Sequence, residues 1–123
     1  MTGRVLLADD AAFMRNWLRE ILESEGLEIA GEEADAESAV AAFARLRPDL
    51  VLLDVTLRSR DGMDPLREIR RIDPRARIVV RSARGQETLV MEALRRGALD
   101  YVVKPLHPAS VLSTLRAALE KGD

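Results

Sequence analysis

The sequence predicts an α/β domain built on a parallel sheet. Five short apolar runs alternate with five amphipathic segments, the runs are mostly continuous rather than period-two, and each amphipathic segment closes on a nearby glycine or proline or at the chain's end. Continuous apolar runs are the mark of strands buried on both faces. Strands that alternate with helices through short connections require right-handed crossovers, and so a parallel sheet covered on both sides.

At 123 residues the chain has the size of one domain, expected to span 1–123. Hydrophobic residues at 47% with charged residues at 33% describe a globular protein, not a disordered one. A net charge of -2 argues against nucleic acid as the main partner, because a phosphate backbone is bound through a basic excess. No cysteine is present, which excludes disulfides and thiolate metal sites. The apolar stretch near the N-terminus, Val5 to Ala8, is too short for a signal peptide or a membrane span. The expectation is a cytoplasmic monomer with no membrane partner.

Arg4 to Ala8 reads as the first strand, running into Asp9 and Asp10. Met14, Trp17, Leu18, Ile21 and Leu22 then follow the spacing of one core-facing helical stripe, which places Trp17 in the core, and Gly26 ends it. Leu27 to Glu33 alternates like an edge strand, with Leu27, Ile29 and Gly31 on one side and acids on the other. A second helix, Asp35 to Leu46, turns Val40, Phe43 and Ala44 inward and stops before Pro48. Leu50 to Leu53 is the third strand and delivers Asp54 to its carboxyl end. After a polar loop, Arg58 to Gly62, the pair Asp64-Pro65 signals an N-cap and first turn for a helix carrying Leu66, Ile69 and Ile72. Ala76 to Ser82 is the fourth strand, with Ile78, Val79 and Val80 buried and a hydroxyl at its end. The fourth helix, Gln86 to Arg96, buries Leu89, Val90, Ala93 and Leu94 and terminates at Gly97. Leu99 to Val103 is the fifth strand, ending at Lys104-Pro105, and a helix from Pro108 buries Val111, Leu112, Leu115 and Leu119.

For five parallel strands the commonest arrangement is a flavodoxin-like (βα)5 three-layer sandwich with strand order 2-1-3-4-5, whose switch point lies between the first and third strands. Those are the strands that end in Asp9/Asp10 and Asp54. Taken singly, an aspartate there reads equally well as a helix cap or a turn residue. Together, the acids converge at one crevice, with Ser82 and Lys104 on the same rim. Clustered carboxylates repel one another, and a hard divalent cation relieves the repulsion; Mg²⁺ suits such a site because it also accepts water and phosphate oxygens. One carboxylate could then attack a phosphoryl group, giving an aspartyl phosphate. A lysine ammonium and a serine hydroxyl supply the charge and hydrogen bond that phosphoryl oxygens need.

These residues also resemble a family, the receiver domains of two-component response regulators. Asp9-Asp10, Asp54, Ser82-Ala83 and Lys104-Pro105 are similar to its acid pair, phosphoacceptor, hydroxyl and lysine-proline motifs, and Tyr101 falls at its switch aromatic. Asp-Asp-Ala-Ala-Phe-Met-Arg at 9 to 15 and Ser-Ala-Arg-Gly-Gln at 82 to 86 look closest to single-domain chemotaxis regulators of the CheY type. The strand order above is itself carried over from known members of the fold, flavodoxin and CheY among them. The resemblance implies that Asp54 accepts a phosphoryl group from a histidine kinase, with acetyl phosphate a possible small-molecule donor. It implies that Asp9, Asp10, Asp54 and the backbone carbonyl of Thr56 hold Mg²⁺, and that Ser82 and Lys104 bind the phosphoryl group. It further implies that Ser82 and Tyr101 switch the face made by the fourth helix, fifth strand and fifth helix. That face would bind an output protein, a flagellar motor switch in chemotaxis, with a phosphatase as a further partner. The chain would catalyse only its own phosphorylation and dephosphorylation.

Leu57-Arg58 stands where the family usually has a Met-Pro turn, whereas the expected Gly62 is present, and Arg58, Arg60 and Arg84 bring positive charge near the acids. Asp54-Val55-Thr56 is also similar to the nucleophile motif of haloacid-dehalogenase-type phosphatases, but those enzymes place it after the first strand, with a second acid two residues on. A phosphorelay carrier passing phosphate to a histidine protein is the alternative within signalling. His107, the single histidine, reads as a residue at a helix start beside Pro108 rather than a phosphocarrier.

Overall fold

A computed structural model describes residues 2–121. Its elements are β1 (Arg4–Ala8), α1 (Ala12–Ser24), β2 (Glu28–Glu33), α2 (Ala36–Leu46), β3 (Leu50–Asp54), α3 (Pro65–Ile72), β4 (Ile78–Ser82), α4 (Glu87–Arg95), β5 (Asp100–Val103) and α5 (Pro108–Glu120). The strands pair in parallel in the order β2-β1-β3-β4-β5. The expected flavodoxin-like topology is therefore present, with β1 and β3 adjacent and leaving for opposite halves of the sheet.

The pleat divides the core in two. Leu6, Ala8, Val51, Leu53, Ile78 and Val80 point to the side where Phe43 of α2 and Ile69 of α3 pack. Val5, Leu7, Leu50, Leu52 and Val79 point to the other, against Leu18 of α1 and Leu115 of α5. Because β1, β3 and β4 are buried on both faces, neither face can carry a polar residue until the strand reaches its carboxyl end. That constraint is what the continuous apolar runs record.

Local chemistry sets the helix ends. Asp35 caps α2 by accepting from the Ser38 backbone N–H at 2.8 Å, and Asp64 caps α3 by accepting from Leu66 N–H at 3.1 Å, with Pro65 in the first turn. Gly97 follows α4 at φ +112, a left-handed conformation that favours glycine, with the mobile end of the Arg70 side chain lying over it.

Two details depart from the sequence reading. Ala44 is exposed, and the buried side of α2 is instead Ala36, Ala39, Ala42 and Phe43; small residues at helical spacing let α2 lie close to the sheet. In β2, the pairing jumps from Val5↔Ile29 to Leu6↔Gly31, so a bulge at Ala30 breaks the alternation. Ile29 packs on the α1 side, whereas Gly31 faces Leu6 and Leu46 on the other. Reading Ile29 and Gly31 onto one face assumed a regular strand.

Candidate functional site

The pleat that sorts the core also builds the site. Val5 and Leu7, Leu50 and Leu52, and Val79 share the α1/α5 face. Continuing each strand by the same two-residue step brings Asp9, Asp54 and Arg81 onto that face. Register sets them side by side, since Ala8 pairs with Leu53 and Asp54 with Arg81. Three strand ends therefore place two carboxylates and a guanidinium in a row at the switch point.

The row is closed by ion pairs. Arg81 Nε donates to Asp9 Oδ2 at 2.5 Å and Arg81 Nη2 donates to Asp54 Oδ2 at 3.0 Å. Asp9 is 3% exposed, Asp54 5% and Arg81 7%, so water screens these pairs little. The planar guanidinium suits a bridge between two carboxylates better than an ammonium would. The remaining carboxylate oxygens are also committed. Asp9 Oδ1 accepts from Ala11 N–H at 2.9 Å, and Asp54 Oδ1 accepts from Thr56 N–H at 2.9 Å and from the Thr56 hydroxyl at 2.8 Å. Neither acid caps α1, whose N-cap is Ala11 without a side-chain bond.

Asp10 is exposed beside them, and Asp9, Asp10 and Asp54 each offer one oxygen within 4.8 Å of the others. Hard oxygen donors of this number and charge fit a small divalent cation. Three acids against one guanidinium leave the crevice negative, which favours a cation further.

The other expected residues lie around this centre rather than in contact with it. Ser82 is buried at the end of β4 with the opposite pleat, and its backbone carbonyl accepts from Lys104 N–H at 3.0 Å. Lys104 is exposed, and its side chain makes no hydrogen bond or ion pair among the described residues. Tyr101 is 43% exposed and lines a groove of about 220 Å³ with Ser82, Val90, Met91 and Val103. His107 is exposed at the N-cap of α5.

Positive charge enters the site from an unexpected residue. Arg58 turns away, its Nη1 donating to the Leu57 carbonyl at 2.9 Å and lying 3.7 Å from Asp64, while Arg60 and Arg84 are exposed at the surface. Arg81 supplies the cation instead. The signal was present, because residue 81 has the parity of Val79 and lies opposite Asp54. Asp54 is likewise buried and paired.

Solved structures carry this fold and much of this sequence. The receiver domain of NtrX from Brucella abortus superposes with a TM-score of 0.89 at 36% identity, covering 96% of this chain and 99% of that one. CheY from Borrelia burgdorferi, solved in a CheX-CheY-BeF3-Mg²⁺ complex, gives 0.87 at 38% identity over 96% of this chain and 90% of that one. The chain belongs to the response regulator receiver domain family, whose model matches residues 5–116. Within it the sequence is CheY-like: it is 45% identical to the chemotaxis protein CheY of Thermotoga maritima over 115 residues, 94% of this chain and 96% of that protein. No described helix is long and apolar enough to cross a membrane.

Proposed function

We propose that this domain is a phosphorylation-activated switch in which Asp54 takes a phosphoryl group from a histidine kinase. The observation that carries the reading is the fixing of Asp54 at the β1/β3 switch point, with one oxygen held by Thr56 and two further acids within reach. Mg²⁺, when bound, would neutralise charge on the carboxylates and on the incoming phosphoryl oxygens. Asp9, Asp10, Asp54 and the Thr56 carbonyl would hold it. An Asp54 carboxylate oxygen attacks phosphorus, the bond from phosphorus to the donor nitrogen breaks, and the donor imidazole leaves. Thr56 orients the carboxylate by its N–H and hydroxyl, which limits the rotation that attack would otherwise have to freeze out. Lys104, at the end of β5 two strands from β3, has no hydrogen bond or ion pair among the described residues, and its ammonium can swing onto a phosphoryl oxygen. The chain acts on no other substrate in this reading; it catalyses its own phosphorylation and dephosphorylation.

Output would pass through Ser82 and Tyr101. A Ser82 hydroxyl drawn to the phosphoryl group would open space in the groove it shares with Tyr101, and an inward Tyr101 would reshape the α4-β5-α5 face. An output protein reads that change by its differential affinity for the two forms. Similarity to chemotaxis proteins supports a flagellar motor switch as the target, and the relative solved in a complex with CheX supports a further protein partner, for which a phosphatase is our reading. A cytoplasmic kinase and target fit this reading.

Intact-mass spectrometry after incubation with Mg²⁺ and acetyl phosphate tests it. A single phosphoryl addition is expected, lost in Asp54→Asn and after chelation of the cation; labelling undiminished in Asp54→Asn would refute it.

A further inference from the structure

Arg81 is the only buried cationic side chain among the described residues, and it lies in the crevice where a divalent cation would sit. We propose that its guanidinium is a built-in counter-ion that closes the acidic crevice of the resting domain, and that divalent-cation loading is an exchange in which the guanidinium gives up at least one carboxylate. The inference rests on the reading of Asp9, Asp10 and Asp54 as cation ligands.

The geometry leaves little room for simple addition. All four oxygens of Asp9 and Asp54 already accept hydrogen bonds, the Oδ2 atoms from Arg81 and the Oδ1 atoms from Ala11 and Thr56. A carboxylate oxygen can share a neutral N–H with a metal ion at small cost. Sharing an Oδ2 with Arg81 would bring a divalent cation and a guanidinium onto one atom, where two positive charges at contact distance repel strongly in a site that excludes water. The backbone of Arg81 is fixed by strand pairing with Asp54, and its carbonyl accepts from Val55 N–H at 2.9 Å. Only the side-chain torsions can yield, and an unbranched stem allows that.

The consequence is a tuned cation requirement. The guanidinium screens the repulsion between Asp9 and Asp54 before the cation arrives, so part of the electrostatic gain of cation binding is already spent on Arg81. Cation affinity is therefore lower than three bare acids would give.

Calorimetric titration of the whole chain with Mg²⁺, comparing the parent with Arg81→Met, reads the exchange directly. The variant should bind at least about tenfold more tightly, equivalent to about 1.4 kcal/mol. Affinities within twofold would overturn the exchange, and weaker binding by the variant would overturn it in favour of a guanidinium that arranges the carboxylates for the metal. Absence of binding to either chain would instead overturn the cation reading, and the exchange with it. A second measurement reads the exchange in the parent itself, a variant serving only for assignment. The Arg81 Nε–H resonance of the ¹⁵N-labelled parent, assigned by its loss in Arg81→Lys, should shift on Mg²⁺ addition with the calorimetric midpoint; a resonance unmoved at saturation would overturn the proposal.

Discussion

Replacing Arg81 by methionine in the absence of divalent cations should destabilise the fold by about 3 kcal/mol. The perturbation keeps an unbranched apolar stem of similar reach, so packing along β4 changes little, and the loss falls on the charges. Asp9 and Asp54, both nearly fully buried, would each lose an ion pair at hydrogen-bond distance. Removing one partner of a buried pair costs roughly 3–5 kcal/mol, because the charge left behind is uncompensated. Unmasked repulsion between the two carboxylates adds to that cost, while the better burial of a thioether stem offsets part of it. We take the lower end of the range. For a domain of this size such a loss lowers Tm by roughly 10 °C. Urea and thermal unfolding followed by circular dichroism, both with a chelator present, give the difference. A change below about 1 kcal/mol would refute the claim that Arg81 compensates buried charge, since no rearrangement of exposed groups could restore it. Excess Mg²⁺ should narrow the gap, as mass action on the folded state requires.

Asp10→Ala should weaken Mg²⁺ binding by about tenfold or more, measured by calorimetry, since an anionic oxygen donor is lost from a site with few; unchanged affinity would remove Asp10 from the ligand set. Phosphorylation should raise affinity for the output protein by roughly 1–3 kcal/mol, and Tyr101→Ala should lose most of that difference; equal binding of the two parent forms would contradict the switch. The Asp35 carboxyl is held below its ordinary value by the Ser38 backbone N–H it accepts at the start of α2, and further by the Ser38 side chain. Its cap therefore contributes fully above the ordinary carboxylate range and is lost as pH falls through the lowered folded value. Asp35→Ala should lower Tm at neutral pH, with the gap closing in acid; a gap independent of pH would contradict the charged cap.

Most of the fold was legible because burial on both faces leaves a plain trace in sequence. Leu50 to Leu53 and Val5 to Ala8 can be little else than central strands, and the acids that end them mark the switch point. What was missed lay where two patterns overlap. Arg81 sits in sequence between the apolar run Ile78 to Val80 and the hydroxyl of Ser82, and nothing near it in the chain marks its partners. Its partners come from strands far away in sequence, and only register and pleat together bring them to it. The burial of Asp54 is hidden for the same reason, since a strand-end aspartate reveals it only once the neighbouring strand is known to carry a cation. The bulge at Ala30 left no mark in composition, because Ile29, Ala30 and Gly31 form an apolar stretch that supports either parity. Ala44 was misplaced because alanine fits both the buried and exposed sides of a helix, and Ala36, Ala39 and Ala42 were better candidates only by spacing.

The claim on which the rest depends is that Asp54 is the phosphoacceptor. An acyl phosphate can be trapped by borohydride, which reduces the modified carboxyl to an alcohol that survives proteolysis and tandem mass spectrometry. After Mg²⁺ and acetyl phosphate, the reduced side chain should be found at position 54 and nowhere else. Recovery of the modification at Asp9 or Asp10, or a stable phosphate on His107, would contradict the account.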